Sequence, residues 1–207
     1  MLQAGVDTFY MTKVDSAGHS DTLGREVQTL EQAALGSRSV WLQAYQYLGK
    51  KGEFTSDSLT MDLTTLLPIA ETRYNADGRE QVRYDGTSIR TALRLQSGSE
   101  IRDTTISAPV YSSSTTDAIA RAFPSTIGDR VHMLLFSPFP APFKIGAADV
   151  QNISSEVVPG RAGRPEECWV VRVDMGGGFT RFWVNKATHE VARIQSGEGS
   201  RAITFIR

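Results

Sequence analysis

The sequence predicts a mainly β protein: one strongly curved antiparallel sheet, a half-barrel of about ten strands, with one short helix on its concave side. Three observations carry this expectation. Cys168 to Asp174 alternates large apolar with small or charged side chains, Gly176-Gly177-Gly178 interrupts it, Phe179 to Asn185 runs back, and Lys186 to His189 turns again into Glu190 to Ile194. A period of two with turn residues at each end specifies an antiparallel meander. The same alternation recurs upstream, with Leu59, Met61 and Leu63 set against Ser58, Thr60 and Asp62. Finally, only one segment carries the punctuation of a helix.

In chain order, Asp7 to Val14 is the first expected strand, with Phe9 and Met11 on one face and Tyr10 and Thr12 on the other. The turn-rich Ser16 to Ser20 leads to a long segment, Arg25 to Gly49. Gln28 to Leu35 has some helical spacing, but nothing caps it and Gly36 ends it, so strand is preferred. Ser39 to Leu48 places Trp41, Tyr45 and Tyr47 on one face and is apolar on both. Lys50 to Glu53 turns the chain into Phe54 to Leu63, and Pro68, which cannot donate to a ladder, marks an edge or a bend. Ile69 to Tyr74 and Glu80 to Tyr84 flank the hairpin loop Asn75-Ala76-Asp77-Gly78, and Asp85-Gly86 is expected as a two-residue type I′ turn into Thr87 to Leu95. Gly98 turns into Ile101 to Ile106.

The helix comes next. Ser112 to Thr116 offers cap candidates, Asp117 favours the first turn, Ile119, Ala120 and Phe123 form an apolar stripe, and Pro124 stops it. Arg130 to Phe136, Val150 to Val158 and the terminal meander complete the strands, with the Pro/Phe loop 137–143 between the first two. No low-complexity linker divides the chain, so residues 1–207 read as one domain.

Composition narrows the function classes. A domain of 207 residues buries about 70% of its unfolded surface and needs no disulfide or metal staple. The formal net charge of −1 gives no footprint for nucleic acid, and the arginines are scattered singly. No apolar run reaches the ~20 residues that span a bilayer as a helix. Cys168 is alone and reads as a structural thiol.

Catalytic and metal signatures are weak. Gly176-Gly177-Gly178 precedes a strand, whereas a phosphate cradle opens a helix, so a hairpin loop is expected. His19, His132 and His189 lack metal-ligand spacing, and His189 occupies a turn position where a positive φ is wanted. No Gly-x-Ser-x-Gly elbow occurs. Asp57, Asp62, Asp85, Asp103 and Asp174 are carboxylates that sequence cannot pair in space, and all but one lie at strand ends or turns. No catalytic residue, metal ligand or cofactor is assigned. The residual signal is apolar: Trp41, Tyr45 and Tyr47, with Met133, Leu135, Phe139 and Phe143 after the helix, are the candidate lining of a ligand cleft, weighed against plain core packing.

Several pieces resemble bacterial cell-envelope domains of unknown function with the LolA-like half-barrel fold, the fold of periplasmic lipoprotein carriers. They are Thr55-Ser56-Asp57-Ser58-Leu59 leading to Thr64-Thr65-Leu66-Leu67-Pro68, then Arg83-Tyr84-Asp85-Gly86, the helix end Ala122-Phe123-Pro124, and Phe182 to Arg193. The turn Asn185-Lys186-Ala187-Thr188-His189 departs mildly from the Asp-Pro-x-Thr-Gly character usual in such domains. The resemblance implies a non-catalytic periplasmic or secreted protein, its signal peptide removed, that binds a lipid, an acyl chain or another apolar ligand. The alternatives are an interaction module that docks an envelope protein through a sheet edge or the loop 137–143, and a hydrolase with carboxylates inside the cleft.

Overall fold

The computed structural model describes residues 2–15, 17–123, 126–137, 144–160, 163–199 and 202–207. Fifteen strands form one sheet in the order β8-β7-β6-β5-β4-β3-β2-β1-β15-β14-β13-β12-β11-β10-β9. The first eight are β1 (Gly5–Val14), β2 (Ser20–Leu35), β3 (Arg38–Gly49), β4 (Phe54–Asp62), β5 (Pro68–Asn75), β6 (Gly78–Tyr84), β7 (Ser88–Leu95) and β8 (Gly98–Thr105). After β9 (Tyr111–Ser112), a 3-10 turn over Ser113–Thr115 and the helix α1 (Thr116–Ala122) come β10 (Arg130–Ser137), β11 (Lys144–Pro159), β12 (Pro165–Asp174), β13 (Phe179–Asn185), β14 (Val191–Ser196) and β15 (Ile203–Ile206). Neighbouring strands are antiparallel except β9 beside β10.

The topology is two meanders joined at the chain termini. β1 pairs with β15, Tyr10 opposite Ile206 and Lys13 opposite Ile203, so the two halves form one continuous sheet. The expected count of ten was too low for a local reason. Gly36, at φ +62°, turns Arg25–Gly49 back on itself within two residues. The short β9 and β15 carry too few residues to show a period. The helical spacing of Gln28 to Leu35 yields to cross-strand pairing. The turn after β6 is displaced by one residue: Gly86 carries the positive φ, +88°, and Asp85 accepts hydrogen bonds from the backbone N–H of Thr87 and Ser88. It is therefore a Gly-first turn rather than an Asp-Gly one.

Curvature follows from the core. Phe9, Leu59 and Met61 share one buried cluster with Val171, Phe182 and Val191, although β4 and β12 stand seven places apart in the sheet. Side chains so distant along a sheet meet only if it curls around them. The ends approach as well. Val82 and Ile89 of β6 and β7 pack with Phe136 of β10 and Val110, and the Tyr84 ring meets Phe136 edge-on at 6.0 Å. The sheet is open in hydrogen bonding yet closes into a barrel-like form through this packed seam, further than the expected half-barrel. β8 lies beyond the seam and is exposed along almost its whole length.

The helix packs against β12 and β13 and contributes Ala118, Ile119, Ala120 and Phe123 to the main core. Arg121, 5% exposed, anchors it. Its Nε donates to the His189 carbonyl at 3.2 Å and a terminal nitrogen to the Gln3 carbonyl at 3.1 Å. His189 Nδ1 returns a hydrogen bond to the Arg121 carbonyl at 3.0 Å, and its φ of +57° is the positive value its turn context predicts. Replacing Arg121 with alanine deprives two part-buried carbonyls of their donor and removes the counterion of Asp117, 3.9 Å away. The expected loss is about 3 kcal/mol of unfolding free energy in urea titration at pH 7. A loss below about 1 kcal/mol, the size of one ordinary hydrogen bond, would refute this anchoring role.

Candidate functional site

Register decides what faces the barrel interior. Across β1 to β7 it aligns Asp7, Gln28, Tyr45, Asp57, Arg73, Glu80 and Leu93, each beside the next. Six consecutive strands thus present a polar residue at one level of the inner face. The neighbouring level, Leu30, Gln43, Leu59, Glu71, Val82 and Thr91, mixes apolar and polar side chains. Because the side-chain period of a strand is two, none of these groups can turn outward without shifting its whole strand.

The network centres on Ser114, which the 3-10 turn delivers over β4 and β5. Its Oγ lies 2.7 Å from Asp57 Oδ2 and 2.8 Å from Glu71 Oε1, and accepts a hydrogen bond from Arg73 at 3.0 Å. A hydroxyl has one proton to give. That proton is shared between the two carboxyl groups. Glu71 is 2% exposed, and burial, with Asp57 adding to it, raises its pKa against the pull of Arg73. Ser112 Oγ and the Tyr84 hydroxyl donate to the second oxygen of Glu71 at 2.7 and 3.1 Å. Arg73 also binds Asp57 at 2.9 Å and Glu71 at 3.3 Å.

Glu80 faces Arg73 from β6. It is 2% exposed and neither carboxylate oxygen has a hydrogen-bond partner, so burial pushes its pKa up to about 7 while Arg73 pulls the other way. Asp117 lies on the helix side. Gln43 Nε2 donates to its Oδ2 at 3.0 Å, its Oδ1 has no partner, and burial lifts its pKa to about 6 against Arg121. Gln43 Nε2 also donates to the Tyr45 hydroxyl, which passes its proton to the Ser114 carbonyl at 3.1 Å.

Tyr45, Asp57, Arg73, Ser114 and Asp117 of this network bound a cavity of about 600 Å³. One wall is polar, with Glu26, Tyr45, Asp57, Arg73, Ser114 and Asp117; the other is mainly apolar, with Phe182, Ile194, Ile203 and Phe205 from β13 to β15. Of the lining residues expected from sequence, Tyr45 and Tyr47 are here, and Trp41 shares their strand face but lies in the core at 4% exposure. Met133 borders a separate, smaller groove with Leu66, Tyr111, Ile119 and Phe123 near the helix, and Leu135 is buried at 5% exposure. Phe139 and Phe143 lie outside the described residues. The expected single apolar lining is therefore two separate sets, because β3 and β10 stand far apart in the sheet.

The sequence reading set Asp57 beside four other aspartates. Structure separates them: Asp62 and Asp85 cap turns, Asp103 and Asp174 pair with arginines near the surface, and Asp57 alone is buried. The signal was present, since Asp57 falls in phase with Leu59 and Met61. Asp117, expected only as a favourable first-turn charge, is instead a buried member of the network. Among the described residues no group of three His, Cys, Asp or Glu side chains is arranged to hold a metal. Burial pushes the Cys168 thiol up to about 11, which suits a structural cysteine. Gly176 to Gly178 form a hairpin loop closed by the Met175 N–H on the Gly178 carbonyl.

Comparison with known proteins supports the fold. The chain is similar to the crystal structure of a beta-barrel-like protein of domain of unknown function DUF1849 from Brucella abortus, with a TM-score of 0.65 over 98% of this chain and 94% of that chain, at 10% sequence identity. Likeness at this identity concerns the fold alone. No protein-family model matches the chain, and no curated protein resembles it significantly.

The network makes stability depend on pH in a defined direction. Glu80 titrates near 4.5 when unfolded and near 7 when folded. The folded state keeps a proton that the unfolded state releases, so this group lowers stability as pH rises from 4.5 to 7, with no further change above. Glu80→Gln removes that slope. Thermal and urea unfolding are expected to show the variant more stable than the parent by about 2–3 kcal/mol at pH 8, and near parity at pH 4. Equal differences at both pH values would exclude a raised Glu80.

Proposed function

We propose that the protein is a non-catalytic binding protein of the bacterial cell envelope, periplasmic or secreted, which holds one amphipathic, lipid-like ligand inside the barrel. The observation that carries this reading is the two-walled cavity, a built hydrogen-bonding wall facing phenylalanine and isoleucine side chains. A few hundred cubic ångströms lined partly by apolar groups, with convergent polar groups on one side, is the usual form of a small-molecule site. The polar wall argues against a bare acyl chain, because methylenes laid on Asp57, Ser114 and Asp117 would desolvate them without replacing their hydrogen bonds. The resemblance of its turn and strand-start motifs to bacterial cell-envelope domains of unknown function supports the envelope setting.

The non-catalytic reading rests on Ser114. Its hydroxyl is the nearest thing to a nucleophile in the cavity, but Arg73 and two carboxyls already engage it and no histidine stands beside it as a base. Of the docking features expected from sequence, the loop 137–143 lies almost entirely outside the described residues. The sheet edge β8 is exposed, with Ile101 at 61%, but presents no built recess.

Native mass spectrometry of protein taken directly from cells is the test. The expected result is a bound species of a few hundred daltons, on the scale of a ligand that fills such a site, that leaves on mild solvent extraction and returns from a lipid mixture. Phe205→Ala, which removes part of the apolar wall, should lower the loaded fraction. A clean apo mass with no uptake from the mixture overturns the proposal.

A further inference from the structure

We propose that the polar end of the ligand is a protonated amine: an ammonium group bearing N–H donors, held by Asp57 and Asp117 while its apolar body lies against β13 to β15. The inference rests on the cavity being the binding site, as proposed above. It starts from which hydrogen-bonding capacity the wall leaves unused. Asp57 and Asp117 both line the cavity, are 8% and 4% exposed, and each keeps Oδ1 without a partner. Gln43, which holds Asp117, keeps Oε1 without a partner at 2% exposure. Behind Arg73, both oxygens of Glu80 are unpartnered. The unsatisfied buried atoms of the two lining aspartates, and of Gln43 and Glu80 behind them, are all acceptors. Buried acceptors without donors are costly, and a ligand that supplies donors relieves that cost.

Charge points the same way. The cavity lining carries three carboxylates, Glu26, Asp57 and Asp117, and one cationic side chain, Arg73. Arg73 is already engaged by Asp57 and Glu71, and Glu80 adds a further acid behind it. The counterions on the far side are Arg121, 3.9 Å from Asp117, and Arg207, 3.2 Å from Asp7. An anionic head group would meet this surplus of acids with Arg73 alone to receive it. A cation would complete it. A metal ion suits the wall poorly, since its carboxylates are not grouped as a ligand set, and a metal would leave the apolar wall uncovered. A primary ammonium brings three donors on one atom, and charge-assisted hydrogen bonds of this kind are the strong ones.

Four probes sharing an octyl chain separate head-group chemistry from the apolar contribution: octylamine, octyltrimethylammonium, octanol and octanoate, titrated into the intact protein at pH 7.5 by isothermal calorimetry. Octylamine is expected to bind at least about tenfold more tightly than octanol, the scale of one charge-assisted hydrogen bond. Octyltrimethylammonium, with charge but no N–H, should fall between them, and octanoate should bind most weakly. Asp57→Asn and, separately, Asp117→Asn should each weaken octylamine and shrink its advantage over octanol. If octanol or octanoate matches octylamine, or if both variants retain the full amine preference, the ammonium assignment fails while the cavity remains a binding site. If none of the four binds, the binding-protein reading fails with it.

Discussion

One guanidinium, Arg73, stands among three acids in a place from which water is largely removed. Asp57 faces it from β4, Glu80 from β6, and Glu71 precedes it by two residues on its own strand. Isolated buried charge is far too expensive to persist, so the surplus acids must be neutralised by protons, by hydrogen bonds or by a bound cation. Much of the site follows from this constraint. It explains the raised pKa of Glu71, the raised pKa of Glu80, and the convergence of hydroxyls from Ser112, Ser114 and Tyr84. Replacing such a network with well-packed apolar residues is often neutral or stabilising. Core packing alone therefore gives no reason to build it.

The same constraint ties the helix to the sheet. The turn after β9 brings Ser112 and Ser114 onto Glu71 and Asp57, and one turn later Asp117 meets Gln43 of β3. Arg121 and His189 then fix the helix C-terminus through reciprocal hydrogen bonds to each other's carbonyls. The segment between the two halves of the chain is thus held at one end by the first meander and at the other by the second. The network serves as the joint between the halves and as a wall of the cavity.

Much of the architecture was legible because a strand's period of two and its turn chemistry are local. Leu59 and Met61 against Ser58 and Thr60, the turn at His189 and the short helix after Ser112 are all read from neighbouring residues. The strand count was less legible, because Ile203–Ile206 and Tyr111–Ser112 are recognised as strands only by their partners. The site was least legible. Aromatic residues drew attention to Tyr45 and Tyr47, which do border the cavity, but the chemistry lies in carboxylates whose significance comes from burial and pairing. Asp57 and Glu80 are far enough from Arg73 in sequence that only strand register sets them beside it, whereas Glu71 shares its strand two residues away. An inward-phase acid within an alternating strand is the one local trace, and Asp57 carries it.

The two walls also differ in how they are placed. The polar wall belongs to consecutive hairpins, whose short turns fix their registers. The apolar wall depends on β15, four residues long, which holds Ile203 and Phe205 over the cavity by pairing with β14 on one side and β1 on the other. A strand this short contributes few ladder hydrogen bonds, so its position depends heavily on burying Phe205 against the core, to which that ring is packed. Opening is therefore expected at β15 before it is expected at β3 to β5, since local opening begins where packing and pairing are sparsest. A ligand that covers Ile203 and Phe205 while meeting Asp57 and Asp117 would join the least secured wall to the most secured one, and so reinforce the pairing between the first and last strands of the chain.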